Sequence, residues 1–94
     1  MSIYIGCVDI FEDDEIPSPR EQAVKVLEEA AELFGVVDTH GDLIDDVALR
    51  RECSDVIQAV CNLLASVGYA RLDFEPDMLD CRKRNEYRGR VYDG

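Results

Sequence analysis

Two stretches of the chain set carboxylates three residues apart: Glu29 with Glu32, and Glu52 with Asp55. On a helix, positions three apart share a face, so each pair presents its oxygens in one direction. Four carboxylates converging from two helices, with no thiol or imidazole among them, form an all-oxygen donor set. Hard divalent cations prefer such donors, Mg2+ first and Mn2+ next. Magnesium keeps several waters and shares its remaining positions with substrate phosphates, which turns a bare metal site into a nucleotide-phosphate site. A plainer reading of the first stretch is also available. Lys25 lies four residues before Glu29, the spacing of a solvated ion pair worth a few tenths of a kcal/mol, with Glu28 and Glu32 facing water. The second stretch shifts the balance, because Glu52 and Asp55 stand at the entrance to an apolar run and Asn62 continues their stripe. A buried carboxylate without a partner costs several kcal/mol or takes up a proton, so one retained there points to a metal or a cation.

A basic cluster complements these acids. Arg82, Lys83, Arg84, Arg88 and Arg90 are half of the chain's ten basic residues, so residues 82–94 carry +3 and residues 1–81 carry −14. Arginine forks suit bidentate contacts to phosphate, and a tail of this kind can fold over the acidic site to hold the outer phosphates of a triphosphate. Neutralising the protein's own acidity through surface ion pairs is the alternative use of the same residues.

The elements that must position these groups read as helices. Ser18-Pro19-Arg20-Glu21 combines a capping serine, a proline suited to the first helical position and the glutamate of a capping box. From Pro19 to Phe34, Ala23, Val24, Leu27, Ala31 and Phe34 recur at three- and four-residue steps, and Gly35 is the expected terminator. Residues 35–42 are the expected loop, with His40 a solvated loop residue. A longer second helix is expected from Leu43 to Val67, a stretch free of proline and glycine that Gly68 closes. The run Val56 to Ala65 is apolar nearly all round, so this helix requires burial on more than one side, which one partner helix does not supply. A third helix is expected from Pro76 to Tyr87, with Met78, Leu79 and Cys81 facing inward. The first eleven residues, rich in Ile, Tyr and Val, suit a short extended segment, and an acidic tract, Glu12 to Glu15, follows it. The expected architecture is all-α: an antiparallel helical hairpin (residues 19–68) plus a short C-terminal helix, in a single domain over residues 1–94.

Composition restricts the partners. The chain has 94 residues, 21 acidic and 10 basic, for a net charge of −11, with 47% apolar and 33% charged residues. This is a globular composition rather than a disordered one. Such acidity opposes polymeric nucleic acid and anionic membrane surfaces. No run approaches the roughly 20 apolar residues of a membrane span, and the start of the chain lacks the features of a secretory signal, which makes the cytoplasm the expected compartment. Cys7, Cys53, Cys61 and Cys81 form no C-x-x-C pair and read as reduced thiols. A lone chain of this length removes only roughly 60–65% of its unfolded surface from water, so self-association is expected.

Lys25-Val26-Leu27-Glu28-Glu29-Ala30-Ala31-Glu32-Leu33, followed by Glu52-Cys53-Ser54-Asp55-Val56-Ile57-Gln58, resembles the E-E-x-x-E and E-x-x-D signature of MazG-like all-α nucleoside triphosphate pyrophosphohydrolases. The likeness covers roughly residues 19–68, and Arg84-Asn85-Glu86-Tyr87-Arg88-Gly89-Arg90 resembles the basic tail of compact members. The resemblance implies a homodimer or homotetramer built as a four-helix bundle, with magnesium-dependent cleavage of a triphosphate to monophosphate and pyrophosphate. It implies Glu29, Glu32, Glu52 and Asp55 as metal ligands and Glu28 or Glu29 as the acceptor of a proton from water. Lys25, Lys83, Arg84, Arg88 and Arg90 become the candidate phosphate-binding residues, and Asn62 the candidate contact to the nucleotide. A non-enzymatic helical interaction or metal-binding module using the same acids is the competing expectation.

Overall fold

The computed structural model describes residues 2–10, 17–40, 43–69 and 71–89. Three helices, α1 (Pro19–His40), α2 (Asp46–Ser66) and α3 (Glu75–Tyr87), are its regular elements, and the described residues contain no strand. The all-α expectation is met. The chain divides into two compact units, one spanning Cys7–Tyr69 and the other combining Met1–Gly6 with Ala70–Gly94. Among the described residues no helix is long and apolar enough to cross a membrane.

The first unit holds the helical hairpin. α1 begins at the anticipated capping box: the Glu21 amide donates to Ser18 Oγ and the Ser18 amide donates to Glu21 Oε2, both at 3.2 Å. These reciprocal bonds satisfy donors that a helix start otherwise leaves open. α1 does not stop at Gly35, contrary to expectation, and continues to His40. An interior glycine costs about 1 kcal/mol relative to alanine. Leu33 and Val36, half-buried on either side of Gly35, supply packing that outweighs it. His40 is therefore the last residue of α1 and not a loop residue.

α2 starts three residues later than expected, because Asp45 is its cap. One Asp45 carboxylate oxygen accepts from the Val47 amide at 2.9 Å and the Ala48 amide at 3.2 Å. The helix spans 21 residues against 22 for α1, so it is not the longer of the two. Its exit uses Gly68, whose φ of 104° no other residue type adopts easily. The Gly68 and Tyr69 amides there donate to the Ala65 and Leu64 carbonyls.

α1 and α2 pack against each other as an antiparallel pair. Val26, Leu33 and Val36 of α1 are half-buried, as are Val56 and Leu63 of α2. Ala59, 4% exposed, is the one buried apolar residue among those described. The all-round apolar character of α2 thus exceeds what α1 covers.

In the second unit α3 begins one residue before the expected Pro76. Met78 and Leu79 do not face inward: they are 59% and 51% exposed, and only Cys81 and Asn85 of this helix are half-buried. Charged residues surround the few apolar ones, so α3 has no continuous apolar stripe to bury. Residues 2–10 form no regular element, and Ile3, Tyr4 and Ile5 are exposed. Met1, Phe11, the acidic tract from Glu12 to Glu15 and the segment 90–94 lie outside the described residues.

Candidate metal centre

α1 and α2 bring three of the predicted ligands together. One carboxylate oxygen from each of Glu29, Glu52 and Asp55 lies within 4.8 Å of the others. Glu29 comes from the α2-facing side of α1 and is 9% exposed. Glu52 and Asp55 stand one turn apart on α2, Glu52 half-buried and Asp55 exposed. The donors therefore run from the packed interface out to solvent, leaving one side open to a ligand.

One oxygen in this group has no partner. Glu52 Oε2 is buried and makes no hydrogen bond. An orphaned buried oxygen of this kind costs about 1–3 kcal/mol. Glu29 is compensated differently, with Lys25 Nζ 3.1 Å from its Oε1 and 3.8 Å from Glu28 Oε2. The Lys25–Glu29 ion pair read from the sequence is thus present, but only its lysine end is solvated, because its carboxylate is the one that meets α2.

Glu32 stands beside the three oxygens without joining the tight group. The negative charge of Glu29, then a hydrogen bond with the Glu29 side chain, partial desolvation and the charge of Glu52 raise its pKa, with Lys25 opposing weakly. The Lys25 ammonium is held above its ordinary value, first by its hydrogen bond and ion pair with Glu29. Glu28 is exposed and turned toward Lys25. The acidic surface here has more like charge than its single lysine offsets.

A polar row along α2 extends from the site. Gln58 Nε2 donates to Asn62 Oδ1 at 3.0 Å and to the Asp9 carbonyl at 2.9 Å, tying the segment that precedes α1 to the flank of α2. Sequence reading had found Asn62 but missed Gln58. The signal was present in the spacing of Asp55, Gln58 and Asn62, which places all three on one flank.

The predicted phosphate-binding residues of the basic cluster belong to the second unit. Arg84 Nε donates to Asp80 Oδ2 at 2.9 Å and Arg82 Nε to Glu86 Oε1 at 2.8 Å, both along α3. Lys83 and Arg88 are exposed, and Arg90 lies outside the described residues. Charge compensation within α3, the alternative reading of this cluster, is visible in these pairs.

The four cysteines are free thiols. No protein-family model, curated protein or solved structure matches the chain.

Proposed function

We propose that this chain is a divalent-metal-dependent hydrolase that cleaves nucleoside or deoxynucleoside triphosphates to monophosphate and pyrophosphate, as the MazG-like signature implies. The reading rests on one observation: a buried, unpartnered Glu52 oxygen beside the converging carboxylates of Glu29 and Asp55. A hard cation removes the cost of that orphaned oxygen, so the donor set fits Mg2+, with Mn2+ the nearest alternative. Glu29, Glu52 and Asp55 would hold the ion, with Glu32 joining from the next turn of α1. When bound, the ion neutralises phosphate charge and polarises the phosphoryl oxygens.

The chain's own residues divide the remaining work. Glu28, next to Glu29 but open to solvent, takes the proton from a water attacking phosphorus, with Glu29 the other candidate acceptor. The new P–O bond forms as the bond to the pyrophosphate oxygen breaks. Lys25 stands where it can exchange a carboxylate for a phosphate oxygen, and Lys83, Arg84, Arg88 and Arg90 are the further cations for the polyphosphate. Asn62, its Oδ1 engaged by Gln58, offers its amide nitrogen to the nucleoside. Clearing surplus or non-standard nucleotides in the cytoplasm is the corresponding role, and an oligomeric bundle its structural setting.

A second reading, a non-enzymatic metal-binding or interaction module, draws on the engagement of Lys25 with Glu29 and of Arg84 with Asp80. Cations committed within the chain are less available to phosphates. Incubating the full chain with a panel of ribo- and deoxyribonucleoside triphosphates separates the two. The hydrolase releases equimolar monophosphate and pyrophosphate in Mg2+ or Mn2+. Metal binding by calorimetry without pyrophosphate from any triphosphate establishes the second reading and overturns the first.

A further inference from the structure

The side of α1 turned away from α2 carries an ordered apolar seam. Val24, Leu27 and Phe34 are 46%, 71% and 64% exposed, and Ala31 between them is exposed as well. The seam begins at Arg20 and ends at Asp38, and the six positions are separated by four, three, four, three and four residues. That is the alternation of a coiled-coil seam, with Val24, Ala31 and Asp38 in one class of position and Arg20, Leu27 and Phe34 in the other. The residues that face α2, including Val26, Glu29 and Leu33, occupy the opposite part of the wheel and are half-buried or buried.

The spacing is symmetric about position 29. If a second α1 runs antiparallel along the first, Val24 lies level with the second copy's Phe34, Leu27 with its Ala31, and Arg20 with its Asp38. Each layer then pairs a larger side chain with a smaller one, and each end pairs opposite charges. A parallel arrangement instead stacks Arg20 on Arg20 and Asp38 on Asp38. Neither Arg20 nor Asp38 has an ion-pair partner within the chain among the described residues. The hairpin also needs further burial, since Ala59 is its one buried apolar residue among those described.

The geometry points to a second copy of this chain as the occupant of the seam, docked antiparallel through Val24, Leu27, Ala31 and Phe34 and oriented by reciprocal Arg20–Asp38 pairs. The surface lies opposite Glu29 on α1, so this pairing leaves the carboxylate group uncovered. It stands independently of the hydrolase reading: the seam can fail while metal binding persists, and the reverse.

Sedimentation equilibrium of the full chain over a wide concentration range tests it. The wild type is a dimer, and Leu27→Glu, at a residue already exposed in the single chain, gives a monomer of unchanged helical circular dichroism. Arg20→Asp and Asp38→Arg each bring like charges together and weaken the dimer by roughly tenfold. The double exchange restores the dimer, because it recreates the opposite-charge pairs in reverse. A monomeric wild type overturns the proposal, as does a dimer indifferent to Leu27→Glu. Failure of the double exchange to recover what either single variant loses overturns the antiparallel register. A monomeric wild type that Leu27→Glu also unfolds would assign the seam to another segment of the same chain.

Discussion

Lys25 Nζ sits 3.1 Å from Glu29 Oε1, so the nearly buried carboxylate of the candidate metal centre already has a cation. The lysine therefore competes with any divalent ion for Glu29. Lys25→Met should tighten Mg2+ or Mn2+ binding by up to about fivefold, a modest factor because the ammonium is exposed and water screens it. In a hydrolase the same change raises the KM for triphosphate, since Lys25 can no longer move onto a phosphate. Titration calorimetry with metal alone measures the first effect. Unchanged or weaker metal binding in this variant would show that the ion does not sit against Glu29.

Glu32 makes the stability of the metal-free protein depend on pH in an unusual direction. Its carboxyl is held above the usual value, first by the charge of Glu29, so the native state binds its proton more tightly than the unfolded chain does. The sign follows from linkage: this group's contribution is lost as pH rises through the raised native value, and is regained on acidification toward its ordinary 4.5. The difference between wild type and Glu32→Gln isolates the group. Urea midpoints measured from pH 7 down to 4.5 should show a gain in the wild type relative to Glu32→Gln. Saturating Mg2+ should erase that gain, because the ion displaces the proton. Parallel curves for the two proteins would remove Glu32 from the electrostatic field of Glu29.

Gly35 gives a stability test with no bearing on the site. It lies within α1, has no left-handed φ, and a Cβ built on it meets nothing within 4 Å. Gly35→Ala should therefore stabilise the hairpin by about 0.5–1 kcal/mol, by restricting the unfolded chain and improving helix propensity. A raised urea midpoint with an unchanged slope is the expected readout. A loss of stability would mean that the helix does not run through residue 35.

The contrast between Gly35 and Ser18 shows which parts of the fold were legible in the sequence. Ser18 and Glu21 specify a helix start through two short-range bonds, and both formed as read. Gly35 resembled a stop, but its preference is about 1 kcal/mol and tertiary packing of Leu33 and Val36 overrode it. Asp45 was a capping residue in plain view; the absence of proline and glycine from Leu43 to Val67 hid it. These shifts lengthened α1 and delayed α2. Glu29 still met Glu52 and Asp55, because the connection between the helices remained short and the pairs were spaced by a full turn. Met78 and Leu79 were misjudged for a different reason. Two adjacent apolar residues flanked by Asp77 and Asp80, with Glu75, Arg82 and Lys83 one turn away, do not make a buried face.

Glu52→Gln separates the cost of the site from its use. In the metal-free chain one Glu52 oxygen is buried without a hydrogen bond. A neutral amide of the same size in that place relieves both the unmet acceptor and the repulsion from Glu29 and Asp55. The variant should therefore be more stable than the wild type by about 1 kcal/mol, a rise of roughly 4–8 °C in Tm for a domain of this size. Its metal affinity should fall by at least about 100-fold, because a charged donor has been removed from the centre of the group. Activity should fall with it, and so should the stabilisation that Mg2+ confers on the wild type. The opposed signs are the informative feature: an ordinary packing residue loses stability when altered, whereas a ligand held in place for a cation gains it. Thermal melts of both proteins with and without Mg2+ provide the comparison. A Glu52→Gln protein that is less stable without metal, yet still stabilised by Mg2+ to the wild-type extent, would assign Glu52 to the structure of the hairpin and not to a metal centre.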